Sequence, residues 1–167
     1  MPAAPLAARF PMEVPRMSAK PEMSREERMA FILDHREKPR NNHLMDDASV
    51  AHTGGNPGCG DILTIYLKVG DDERIEDISF TGEGCTISQA GASILSGQLK
   101  GKTLAEVESM DFDVVVDTFG RDVMATRPRC ATLALGTTKT AVKKYRDKTR
   151  KEALTTTSSV SSVSSIP

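Results

Sequence analysis

An α+β domain is the fold class this sequence predicts, and three observations carry that prediction. Two β-like segments, Ile62 to Val69 and Ile75 to Phe80, flank the polar turn Gly70-Asp71-Asp72-Glu73 and read as an antiparallel hairpin. Helical patterns with their own start signals stand on both sides of the hairpin. The chain of 167 residues has the length of one domain. Its 38% apolar content supplies a core, and with only 4% aromatics that core is built from Ile, Leu, Val, Met and Ala.

Each element has a local reason. Ser24-Arg25-Glu26-Glu27 is a capping-box pattern, with Ser24 as N-cap and Glu27 three residues on. Met29, Ile32 and Leu33 follow as an apolar stripe at helical spacing, and Pro39 ends the helix. Residues 40–58 read as loop, broken by Gly54-Gly55 and Asn56-Pro57. In the first strand Ile65, Leu67 and Val69 alternate with Thr64, Tyr66 and Lys68; Ile75, Ile78 and Phe80 mark the second. The spacing then predicts a helix from Cys85 to about Leu99, with Ile87, Ala90, Ile94 and Leu95 on one side. Thr103 caps a short helix, and Val114-Val115-Val116 fits either a strand or a buried helical turn. Pro128 suits a first helical turn and opens a last helix to about Lys148, with Ala131, Leu135, Val142 and Tyr145 on a shared face.

The termini read differently. Residues 1–22 are rich in Ala, Pro and Arg, faintly like an organellar transit peptide. Pro2, Pro5, Pro11 and Pro15 would break the amphipathic helix such a peptide needs. The expectation is a disordered leader, or a start codon assigned upstream of Met17 or Met23. Residues 151–167 run into Thr155-Thr156-Thr157 and a Ser/Val repeat, a low-complexity tail expected to be disordered. The folded domain is then residues 23–150. A net charge of −1 and a pI near 6.3 argue against a nucleic-acid surface, and no apolar run is long enough to span a membrane.

The chemistry lies in three cysteines, Cys59, Cys85 and Cys130. An odd, sparse set argues against a disulfide scaffold and for free or metal-bound thiols in a reducing compartment, here the cytoplasm. Cys59 lies in Asn56-Pro57-Gly58-Cys59-Gly60-Asp61, and Cys85 follows Gly82-Glu83-Gly84. Facing residues in an antiparallel pair have a constant number sum, which a turn centred between residues 71 and 72 sets at about 143. Asp61 then faces Gly82, and Cys59 falls beside Gly84, next to Cys85. Cys85 and Cys130 each fall at a predicted helix N-terminus, where the dipole and free N–H groups favour thiolate. Arg127 and Arg129 add positive charge around Cys130. Three thiolates and the Asp61 carboxylate suit tetrahedral zinc, and thiolate sulfur equally suits an iron–sulfur cluster.

Blander readings stand beside these. A single cysteine is often a small buried apolar residue, and Asp61 alone also reads as a turn residue. His35, His43 and His52 are weaker candidates; none adjoins a cysteine, although His52 is loop-borne and within conceivable reach of the site. The basic run Lys139, Lys143, Lys144, Arg146, Lys148, Arg150 and Lys151 reads as a solvated helix face.

Three stretches together resemble the U-type iron–sulfur cluster assembly family, which includes IscU, SufU and the N-terminal domain of NifU. They are Asn56-Pro57-Gly58-Cys59-Gly60-Asp61, Gly82-Glu83-Gly84-Cys85-Thr86-Ile87-Ser88 and Arg127-Pro128-Arg129-Cys130-Ala131-Thr132-Leu133. The segment Asp34-His35 to Pro39-Arg40-Asn41 resembles the family's N-terminal helix and turn, so the likeness covers about residues 25–146. It implies a small three-stranded antiparallel sheet packed against four to five helices. It implies a ligand set of Cys59, Asp61, Cys85 and Cys130, holding zinc or a two-iron two-sulfur cluster at the same place. It implies sulfur received as persulfide from a cysteine desulfurase of the SufS type, with Cys59 as acceptor and Cys130 as the alternative. Apo-acceptors or other assembly proteins would be the further partners, with no nucleic acid or membrane. Such a protein is a scaffold or sulfur acceptor rather than a turnover enzyme.

The chain departs from each subfamily. The IscU type carries a histidine before its third cysteine, where this chain has Arg129, and the Leu-Pro-Pro-Val-Lys stretch of that type is missing. Both departures resemble the SufU type. That type has an extra segment between its second and third cysteines, whereas Cys85 and Cys130 here are 45 positions apart. Arg127 matches a recurring basic position whose SufU counterpart contacts the desulfurase. The readings left open are an assembly scaffold, a zinc-dependent sulfurtransferase that builds no cluster, and a purely structural zinc domain.

Overall fold

The computed structural model of the protein describes residues 23–159; the expected leader and the last part of the expected tail lie outside them. The elements run α1 (Arg25–Glu37), β1 (Val50–Asn56), β2 (Asp61–Val69), β3 (Ile75–Glu83), α2 (Thr86–Leu99), α3 (Leu104–Ser109), α4 (Asp113–Phe119), α5 (Arg121–Thr126) and α6 (Pro128–Ser159). The strands form one antiparallel sheet in the order β1-β2-β3, with helices packed on it, as expected of an α+β domain.

The expected capping box is present. Ser24 Oγ accepts from the Glu27 N–H at 3.1 Å and Glu27 Oε2 accepts from the Ser24 N–H at 2.8 Å. The α1 stripe is narrower than the spacing suggests, because Ile32 is buried while Met29 and Leu33 stay exposed. The last turn of α1 and the chain after it are pinned down: His35 Nδ1 and the Arg40 N–H both meet Ser93 Oγ, and Asn41 Nδ2 donates to Ser96 Oγ. The Asn41 carbonyl accepts the Phe80 N–H, which covers the outer edge of β3.

Two expectations need correction. Residues 40–58 are not all loop, since Val50–Asn56 is the third strand of the sheet. Its sequence, Val-Ala-His-Thr-Gly-Gly-Asn, lacks an apolar alternation. Tertiary contact makes it a strand: α6 lies across it so closely that a Cβ on Gly54 would overlap the Thr137 hydroxyl. The second correction concerns the hairpin sum. Ile62 pairs with Glu83 and Leu63 with Gly82, a sum of 145; next to the turn Val69 pairs with Ile75, a sum of 144, and the irregularity at Lys68/Val69 adds the second step. The two-residue shift keeps every side chain on its expected face and places Asp61 beside Gly84 rather than Gly82.

Leu63, Ile65 and Leu67 of β2 and Ile75, Ile78 and Phe80 of β3 point into the core. Each such side chain contributes about 1.5–3 kcal/mol by leaving water. Helix α2 is buried almost all round from Ile87 to Ser96, between the sheet, α1 and α6. Val114–Val116 resolves as helix within α4, and among the described residues the count reaches six helices through the short α4 and α5. On α6, Ala131, Leu135 and Val142 are buried and Tyr145 half-buried, as the spacing predicts. The helix runs to Ser159, well past Lys148, so its outer part overlaps the expected tail. The stretch from Lys143 to Leu154 is mostly Lys, Arg, Glu, Ala and Leu, contains no Gly or Pro, and so favours the extension.

Candidate metal and sulfur site

The site is built where the β1–β2 turn, the end of the β2–β3 hairpin and two helix N-termini meet. Pro57-Gly58-Cys59-Gly60 connects the paired residues Asn56 and Asp61. The Cys59 N–H closes the turn on the Asn56 carbonyl at 3.1 Å, and Gly60 takes the positive φ of 68° that follows. The turn presents Cys59 to solvent. Asp61 opens β2 facing inward and is only 1% exposed. Cys85 is the N-cap of α2, and its Sγ accepts from the Ser88 N–H at 3.5 Å. Cys130, in the first turn of α6, is 1% exposed.

Three of these residues converge, and the fourth lies against one of them. The donor atoms of Cys59, Asp61 and Cys130 all lie within 4.8 Å of one another. Cys59 Sγ and Cys130 Sγ are 3.3 Å apart. Cys85 joins through the carboxylate: its N–H donates to Asp61 Oδ1 at 2.8 Å, and its Sγ lies 3.8 Å from Asp61 Oδ2. Gly84 permits this approach, because a Cβ there would stand 2.7 Å from Asp61 Oδ1.

The two helix-borne thiols differ. Burial works to raise the Cys85 pKa, but hydrogen bonds from the Ser88 backbone and side chain, from Cys130 and from the Ile87 N–H outweigh it, and the thiol is held below its ordinary value. Cys130 departs from the expectation of an easy thiolate. Burial first, then contacts with Cys59, Asp61 and Cys85, push its pKa up. A helix N-terminus does not rescue a sulfur this enclosed beside other anion-forming groups.

The donor set also answers which groups it fits. Cys59, Asp61 and Cys130 bring two sulfurs and a carboxylate oxygen together, with the Cys85 sulfur beside the carboxylate, and these are donor types that a thiophilic ion or a small cluster takes. A carboxylate almost wholly removed from water suits a ligand better than an ordinary turn residue. The histidines do not join: His52 Nδ1 is 2.9 Å from Lys144 Nζ, His35 meets Ser93, and His43 is exposed. Arg127 and Arg129 are exposed, three and one positions before Cys130. One contact was not foreseen from sequence: Asn56 Nδ2 donates to Cys130 Sγ at 3.5 Å. Its place before Pro57 marked it as a breaker, and only its separation by two residues from a candidate ligand offered a hint.

The model of the NifU-like N terminal domain matches residues 27–152, which contain every one of these side chains. The chain belongs to the NifU-like N-terminal domain family. This NifU-like chain is 38% identical over 114 residues to the iron–sulfur cluster assembly scaffold protein IscU 1 of Archaeoglobus fulgidus, covering 68% of this chain and 73% of that one. It is 40% identical over 79 residues to the zinc-dependent sulfurtransferase SufU of Bacillus subtilis, covering 47% of this chain and 52% of the relative. A solved structure from Fervidobacterium islandicum, described as an iron–sulfur cluster assembly scaffold for the SUF system, superposes with a TM-score of 0.56 at 28% identity, over 67% of this chain and 93% of that one. The N-terminal part of a NifU-like protein from Brucella abortus shares the fold, with a TM-score of 0.62 at 18% identity over 71% of this chain and 93% of that one.

Proposed function

We propose that this NifU-like protein serves iron–sulfur cluster biogenesis: it accepts persulfide sulfur from a cysteine desulfurase and assembles or relays it at Cys59, Asp61, Cys85 and Cys130. The observation that carries the reading is the meeting of an exposed thiol, a buried thiol and a buried carboxylate within 4.8 Å. The relatives named as assembly scaffolds and as a sulfurtransferase support it.

Exposure supports a division of roles. Cys59 sits on a turn that a partner's cysteine can approach, whereas Cys130 is enclosed. The Cys59 thiolate attacks the outer sulfur of the desulfurase's Cys–S–SH. The S–S bond of the donor breaks, its cysteine leaves as thiolate, and a new S–S bond forms on Cys59, so no outside oxidant is required. Cys130, 3.3 Å from Cys59, is the alternative acceptor. Arg127 on the exposed rim would meet the desulfurase, and a cytoplasmic, reducing setting suits the free thiols. Among the described residues no helix is long and apolar enough to cross a membrane.

The scaffold reading treats a two-iron two-sulfur cluster as cargo held by the four ligands. Asp61 is its weakest anchor, because a carboxylate oxygen binds iron–sulfur clusters less well than thiolate. The relay reading is favoured by the Cys3Asp donor set itself, which fits zinc. In that case the same four residues would hold a zinc ion that stabilises the thiolates.

One experiment separates the readings. The full chain is incubated with desulfurase and cysteine, and persulfide is mapped by mass spectrometry. Ferrous iron and a thiol reductant, which supplies the electrons turning persulfide sulfur into sulfide, are then added. Persulfide on Cys59 followed by a visible cluster supports assembly. Persulfide on Cys59 without a cluster, with zinc retained, supports relay. No persulfide on either Cys59 or Cys130 would sink both. In the scaffold case Asp61→Ala should hold its cluster longer, and unchanged transfer to an apo-acceptor would count against a labile Asp61.

A further inference from the structure

Asn56 touches three of the four proposed ligands and is not one of them. It ends β1 and is only 5% exposed. Its side-chain Nδ2 donates to Cys130 Sγ at 3.5 Å. Its carbonyl accepts the Cys59 N–H at 3.1 Å, and it pairs across the sheet with Asp61. Its Oδ1 is buried and has no hydrogen-bond partner among the described residues.

We propose that Asn56 is a positioning residue of the site, whose side-chain amide donates a hydrogen bond to the Cys130 sulfur and fixes the direction from which that sulfur binds its metal or cluster. The inference rests on the ligand set proposed above.

Three features favour a sulfur-directed role over packing. A buried amide with one end unpaired is costly, and an apolar side chain of the same size would fill the space without that cost. The amide N–H is aimed at sulfur, the softest and most electron-rich partner available when Cys130 carries a metal. Partners behind the ligands orient them, and their removal typically weakens metal binding by about 10–100-fold. An aspartate at the position would accept rather than donate, and would set a second carboxylate across the pair from Asp61.

The test uses cobalt(II) as a spectroscopic probe in the full chain, for wild type, Asn56→Leu, Asn56→Ala and Asn56→Gln. An N–H donor lowers the energy of the sulfur lone pairs, so its loss shifts the sulfur-to-cobalt charge-transfer band to longer wavelength. Asn56→Leu and Asn56→Ala should show that shift and bind cobalt about 10–100-fold more weakly in chelator competition. Asn56→Gln, which keeps an amide, should recover part of the shift. An unshifted band with affinity within about twofold of wild type in Asn56→Leu would overturn the proposal, as would loss of fold in both Leu and Ala variants, which would assign Asn56 to folding alone. Wild type lacking a sulfur charge-transfer band would instead overturn the metal-site reading on which the proposal rests.

Discussion

Gly84→Ala is the sharpest perturbation of the site short of removing a ligand. The new methyl carbon would stand 2.7 Å from Asp61 Oδ1 and 3.2 Å from Asp61 Cβ, and it would also collide with Ser88 Oγ. Neither neighbour can yield cheaply. Asp61 Oδ1 accepts the Cys85 N–H at 2.8 Å, and Ser88 Oγ donates to the Cys85 carbonyl at 3.1 Å. Displacing the carboxylate forfeits a hydrogen bond to a charged group, about 1.5–3 kcal/mol, and overpacking adds about 1–3 kcal/mol. Partial relaxation brings the expected loss to roughly 3 kcal/mol, which for a domain of this size lowers the melting temperature by about 10 °C. Because Asp61 and Cys85 both move, metal affinity should fall as well. Gly58→Ala is the control, since its added carbon meets nothing closer than Asn56 Oδ1 at 3.6 Å. Thermal melts with and without metal, together with chelator competition, measure both quantities. A Gly84→Ala protein that melts and binds metal like wild type, or like Gly58→Ala, would refute the packing described here.

Two further outcomes are expected. Gly54→Ala should destabilise by about 1–3 kcal/mol, because the new carbon overlaps the Thr137 hydroxyl and lies 3.1 Å from Thr137 Cβ; denaturant unfolding measures it, and an unchanged midpoint would mean β1 and α6 are not in contact. His35 and His52 should make stability fall on mild acidification. Burial first holds both below the ordinary 6.5, helped by Arg40 at His35 and Lys144 at His52. Their contribution is therefore complete above about pH 6.5 and is lost as pH falls below it, when the unfolded chain binds the protons first. The slope is less than about 1.4 kcal/mol per pH unit for each histidine, since solvent reaches both. His35→Gln should remove one of the two slopes, and a wild-type midpoint that stays flat from pH 7.5 to 5 would contradict the assignment.

The sequence disclosed what depends on near neighbours. Ser24 and Thr103 announced their helices because a capping box lies within four residues. Cys85 could be placed at a helix start because the glycines before it and the apolar spacing after it are local signals. Long-range contact decides the rest. His52-Thr53-Gly54-Gly55 has no strand signature, and it becomes β1 only because β2 and α6 provide partners on either side. The off-centre turn and the Lys68/Val69 irregularity, one position each, left no trace in the residues, so hairpin arithmetic missed by two positions while still finding the correct end of the sheet. The pKa of Cys130 went the opposite way from expectation because burial is a property of the whole fold. Asn56 escaped notice for the same reason: the sulfur it meets is 74 residues away.

Cys59 and Cys130, 71 residues apart in the chain, touch only in the folded protein, as do Asp61 and Cys85. An ion or cluster held by the proposed ligands would tie the first turn of the sheet to the start of α6 and so bind the folded chain in preference to the unfolded one. By that linkage, a chain with these residues occupied would resist unfolding more than one with them empty, and release of the occupant would return that stability to the solution.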